Sequence, residues 1–142
     1  MSLEELLRDR IIERIIPSRE LARKSLAIGE RDLKSAKSNL EHGDFDWAFA
    51  IAYNAALQSG RAMMFSKGYR PFSQYKHVAV VLYLKSELKG DSWNKLIYAF
   101  EKMRKKRHLI IYEEINIIST DEVHEAIRCA TEFVGECKKA LK

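Results

Sequence analysis

The chain has 142 residues, 46% hydrophobic and 32% charged, which is the composition of one folded domain and excludes disorder throughout. Lys and Arg total 25 against 20 Asp and Glu, so a net charge of +5 permits contact with phosphates without requiring it. With only 6 Gly and 2 Pro, long helices are favoured over a turn-dense sandwich or barrel, and a chain of this length needs neither disulfide nor structural metal to build a core.

Leu3, Leu6, Leu7, Ile11, Ile12, Ile15 and Ile16 recur in threes and fours, which predicts a first amphipathic helix over residues 2–16, stopped by Pro17. A second helix starts at Pro17 and Ser18, carries the seam Ala22, Leu26, Gly29, Leu33, Ala36 and Leu40, and ends at Gly43. Asp44 is the expected N-cap of a third helix running to Lys67, with Gly68 behind it. Its alanines lie among Phe45, Trp47, Phe49 and Tyr53, so small residues admit neighbouring helices and aromatics fill the gaps, as befits a central element. After a loop over residues 69–74, a fourth helix spans residues 75–88 and Gly90 ends it. Asp91 or Ser92 caps a fifth helix that runs to about Glu113, and Thr120 or Asp121 caps a sixth with Val123, Ile127, Ala130, Val134, Cys137 and Leu141 on one face. No segment alternates with period two, so the expected fold is an all-α bundle of five to six helices.

Cys129 and Cys137 are eight residues apart in the sixth helix, about 12 Å along its axis, and cannot bond each other. No secretory segment leads the chain and no apolar run reaches about 18 residues, so a cytoplasmic protein without membrane contact is expected. His and Cys do not stand at metal-ligand spacing, and no glycine-rich phosphate loop, nucleophile elbow, HExxH or dinucleotide fingerprint occurs, so neither metal nor cofactor is expected.

The densest basic cluster is Lys102, Arg104, Lys105, Lys106, Arg107 and His108. Leu96, Phe100, Met103, Arg107 and Ile110 form one stripe of the fifth helix, so the Arg107 guanidinium shares a seam with four apolar side chains. Such a cation needs a carboxylate, a carbonyl or a bound anion, because an unpaired buried charge is costly. Arg104, His108 and Tyr112 make a second stripe that places a cation, an imidazole and a phenol together, a set suited to phosphate contact and proton transfer. His77 is expected to cap the fourth helix or lock the loop before it rather than to catalyse, and His42 and His124 to lie on the surface.

The stretch GDFDWAFAIAYNAALQSGRAMMFSKGYRPFSQYKH at residues 43–77, then MRKKRHLIIY at residues 103–112 and DEVHEAIRCATEFV in the last helix, resembles the HEPN domain family, named for higher eukaryotes and prokaryotes nucleotide-binding. The resemblance implies an up-and-down helical bundle over residues 1–142, with residues 1–16 at its periphery, that forms a homodimer. Many members resemble metal-independent ribonucleases whose motif is an Arg, a polar residue, and a His four to six residues after the Arg. Arg107 matches the Arg and His108 its polar neighbour, but with four residues intervening the His position holds Tyr112, followed by Glu113 and Glu114. Compact prokaryotic members similar to this chain also carry Tyr there and look like partners of small nucleotidyltransferases in pairs resembling toxin and antitoxin. The implied function is a dimeric module that binds such a partner, or nucleotide or RNA phosphates, through Arg104, Lys105 and Arg107. The alternative is a ribonuclease with Arg107, His108 and Tyr112 as an altered catalytic set.

Overall fold

The computed structural model describes residues 1–112 and 115–142. Among them are six α-helices: α1 (Leu3–Arg8), α2 (Arg19–Glu41), α3 (Phe45–Lys67), α4 (Val78–Glu87), α5 (Asp91–Tyr112) and α6 (Thr120–Ala140). The fold is an all-α bundle, with one small sheet in which β1 (Ile12–Arg14) pairs antiparallel with β2 (Tyr69–Pro71).

The sheet corrects the expected first helix. α1 is opened by a capping box between Ser2 and Glu5 and stops at Arg8, six residues long. Arg10 then takes a positive φ of 55°, and the chain leaves in extended form. The spacing of the isoleucines fits a helix, but β-branched side chains also favour strands. In the pairing with β2, Ile15 N–H donates to the Gly68 carbonyl at 2.9 Å and Phe72 N–H to the Ile11 carbonyl at 3.0 Å, which satisfies backbone groups that a lone helix end would leave open. Leu6 and Ile12 are both fully buried in the core. The expected loop at residues 69–74 is accordingly β2 followed by a turn of 3₁₀ helix (Ser73–Tyr75).

The remaining elements follow their local signals closely. The Ser18 hydroxyl accepts from Leu21 N at the start of α2, and α3 ends where Gly68 adopts φ 91°, a left-handed conformation that favours glycine. At α6 the cap is Ser119, one residue earlier than expected, in a capping box with Glu122. The expected end of the fifth helix at Glu113 lies outside the described residues.

α3 is the centre, packed against α2, α4, α5, α6 and β2. Gly29 of α2 lies so close to α3 that a Cβ there would stand 2.9 Å from the Ala55 carbonyl oxygen and 2.8 Å from Ser59 Oγ. The same interface holds a polar bridge, in which Asn54 Nδ2 donates to Asp32 at 2.7 Å. On the other side of α3, Tyr53 stacks on Phe100 of α5 at 5.4 Å, and Phe100 meets Phe133 of α6 at 5.3 Å. At the start of α3, the Asp46 carboxylate accepts from the backbone N–H groups of Asn116 and Ile118, which ties the segment before α6 to the bundle. No helix of the described residues is long and apolar enough to cross a membrane.

Candidate functional site

The basic run of α5 divides among several faces, because successive residues of a helix turn by about 100°. Lys102 and Lys106 line a groove of about 910 Å³ between α5 and α6, whose other wall carries Glu122, Glu125 and Glu132. Lys106 Nζ reaches Glu122 at 3.3 Å, and Lys102 Nζ lies 5.5 Å from the ring centre of Tyr98. Lys105 and His108 are exposed, and the His108 ring packs on Tyr112 at 4.8 Å, with Tyr112 itself exposed.

Arg104 and Arg107 turn instead toward α3. Arg104 binds Glu101, one turn earlier, through Nε at 3.1 Å and Nη2 at 2.6 Å. Burial pushes the Glu101 carboxyl up, but Arg104 and Lys105 outweigh it and hold the group below its ordinary value. Arg107 is half-buried, as its place in the apolar seam requires, and its guanidinium carbon sits 5.9 Å from the ring centre of Tyr53. Among the described residues it has no ion-pair partner within 4.0 Å.

Tyr53 is fully buried and forms the floor of this cluster. Its hydroxyl lies 2.8 Å from His77 Nδ1, and the two rings stack at 5.7 Å and 9°. His77 is the N-cap residue of α4 yet makes no side-chain cap; it fastens the loop to α3 through Tyr53. Burial pushes the imidazole below its ordinary pKa, and the charges of Arg107, Arg104, Arg61 and Lys76 push it further. Burial likewise raises the Tyr53 phenol, against the opposing pull of Arg107 and Arg104. With both groups neutral, the tautomer carrying its proton on Nε2 lets the Tyr53 hydroxyl donate to Nδ1.

The structure therefore brings together Arg104 and Arg107 of the expected set, and leaves Lys105, His108 and Tyr112 on other, exposed parts of α5. It adds Tyr53 and His77, bonded to each other, with Lys76 and Arg61 near enough for their charges to act on the imidazole. One signal for Arg61 stands in the sequence: it is the lone cation in α3 before Lys67. Its Nε is sealed from solvent without a hydrogen-bond partner, and burial lowers the pKa of its guanidinium. His42 and His124 each place Nδ1 within hydrogen-bond distance of a carbonyl one turn earlier, Ser38 at 2.8 Å and Thr120 at 2.7 Å, and both are exposed. Cys137 is buried, Cys129 half-buried, and neither is bonded to another sulfur.

A surplus of cations around neutral, hydrogen-bonded aromatic groups can hold an anion. Charge-assisted bonds from guanidinium to phosphate oxygen are among the stronger polar contacts. No curated protein compared with the chain matches it. A family model described as the HEPN domain matches residues 22–140, which runs from the first turn of α2 to the end of α6 and takes in every residue of this cluster. The chain belongs to the HEPN domain family.

Proposed function

We propose that this HEPN module binds the phosphate of a nucleotide or an RNA at the cluster of Arg104, Arg107 and Lys76 beside Tyr53 and His77. It acts as a cytoplasmic homodimer, with a small nucleotidyltransferase as partner in a toxin-antitoxin-like pair. The phosphate assignment rests on one observation: the half-buried Arg107 guanidinium faces Tyr53 with no carboxylate in ion-pair range among the described residues. A buried cation left in that condition gains from an anion supplied from outside. The dimer and the nucleotidyltransferase are supported by family membership and by Tyr112 at the motif position.

The test is binding of a short single-stranded RNA and of a nucleoside diphosphate, followed by fluorescence anisotropy and calorimetry. Arg107→Ala is expected to weaken at least one of them about tenfold, the loss of one charge-assisted contact. Lys24→Ala, which removes a charge from the exposed face of α2, serves as the control. Equal binding by wild type and Arg107→Ala would refute the assignment. Sedimentation of the purified protein checks the dimer, and co-elution with the product of an adjacent nucleotidyltransferase gene checks the partner.

RNA cleavage by Arg107, His108 and Tyr112 is the second possibility, favoured by the packing of His108 on Tyr112. Arg107 lies on a different face of α5 from that pair, so cleavage calls for a second protomer to complete the set. Cutting of RNA in excess chelator, abolished by His108→Ala, would establish it.

A further inference from the structure

Resting on the phosphate-site assignment above, we infer that His77 is a proton-gated ligand of that site: an anion held among the surrounding cations draws a proton onto the imidazole, and Nε2–H then donates to an anion oxygen while Nδ1 stays on Tyr53. The ligand class is a doubly charged tetrahedral oxyanion, the form of a terminal phosphate.

The placement of charge carries this. Tyr53 of α3 is hydrogen-bonded to His77, with the Arg107 guanidinium of α5 at 5.9 Å from the Tyr53 ring centre, and the charges of Arg61 from α3, Lys76 from the segment before α4 and Arg104 from α5 also act on the imidazole. Glu101 is the acid beside them, and both of its oxygens are taken by Arg104. Burial disfavours a proton on the imidazole, and among the described residues four cations against one committed carboxylate add a positive surplus that disfavours it further. A doubly charged anion cancels two of these three surplus charges and so weakens that reason for the ring to stay neutral. Protonation needs no rearrangement of the ring, because Nδ1 accepts from the Tyr53 hydroxyl when neutral and donates to the same oxygen when charged. The second nitrogen is free to meet a ligand. Nε2 has no hydrogen-bond partner among the described residues, and it is not among the polar atoms sealed from solvent. The ring is therefore held at one edge by the protein and open at the other.

Sulfate tests this well, because it keeps two charges between about pH 5.5 and 8, so any pH dependence of its binding belongs to the protein. The histidine Cε1–H resonances of the full chain are followed against pH with sulfate and with chloride at equal ionic strength. His77→Gln identifies the His77 signal. The expected result is a rise of about one pH unit in the His77 midpoint with sulfate, and sulfate affinity that strengthens by up to about tenfold per unit as pH falls. His77→Gln is expected to bind sulfate with little dependence on pH. If sulfate binds, Arg107→Ala weakens it and the His77 midpoint stays still, the proton-gated role is wrong and the phosphate site survives. If wild type does not bind sulfate, or Arg107→Ala binds it equally well, the phosphate site fails and the role of His77 falls with it. Should His77→Gln not fold, the wild-type midpoints with and without sulfate decide the question.

Discussion

His77 couples the site to stability as well as to ligand. Its imidazole is held below the ordinary value of 6.5 in the folded chain by burial and by Arg107, Arg104, Arg61 and Lys76. The unfolded chain, with these groups dispersed, binds the proton more readily. Stability from this group is therefore fully present above about pH 6.5 and is lost as pH falls from there toward the lower folded value. The ligand-free protein is expected to show a urea midpoint that declines as pH falls from about 6.5 to 5.5, while His77→Gln stays level over the same interval. A level wild-type profile would mean that the cations act on His77 too weakly to matter. Sulfate should flatten the wild-type decline, since the folded chain then takes up the proton too.

Between elements, the close packing of α2 on α3 depends on a missing side chain. Replacing Gly by Ala within a helix is worth up to about 1 kcal/mol in propensity. At Gly29 the new methyl would stand 2.9 Å from the Ala55 carbonyl, a backbone atom that cannot swing aside. Overpacking of this kind costs about 1–3 kcal/mol, so Gly29→Ala is expected to lower stability by about 1–2 kcal/mol in urea denaturation. Gly135 on α6 has open space around its Cβ position, and Gly135→Ala is expected to be neutral or stabilising. Equal gains from both would show that the helices separate at little cost. The contrast also marks what can be read from the sequence. Ser18 and Gly68 announce the ends of α2 and α3, since capping is a matter of neighbouring residues. β1 could not be read this way, because Ile12 and Arg14 are extended by partners at residues 69–71, far along the chain. The position of Arg107 in an apolar stripe was legible from spacing on one helix. Its meeting with Tyr53, and the bond from Tyr53 to His77 24 residues later, depends on how three helices cross.

Over the whole molecule, the excess of 25 cations over 20 anions is unevenly placed. The groove of α5 and α6 is lined by four cations, Lys102 and Lys106 among them, and by four carboxylates, Glu122, Glu125 and Glu132 among them, so that side is close to neutral. Around Tyr53 and His77, the charges near enough to act are those of Arg61, Lys76, Arg104 and Arg107, with Glu101 as the counter-charge. A surplus of cations thus stands around Arg104 and Arg107 of α5, and screening within about 8 Å at physiological salt confines its pull to phosphates that come close. Three uncompensated cations, each displacing a counterion from a single strand at about 0.7 per phosphate, give an expected slope of about −2 in log affinity against log salt. Anisotropy of a labelled single-stranded RNA over a range of chloride concentrations measures it, and Arg107→Ala should make the slope shallower by about 0.7. A slope near zero would leave the cluster with no part in binding. A slope steeper than about −4 would mean that Lys102, Lys105 and Lys106 also engage phosphate, which requires the groove to release Lys102 and Lys106 from the carboxylates that now face them.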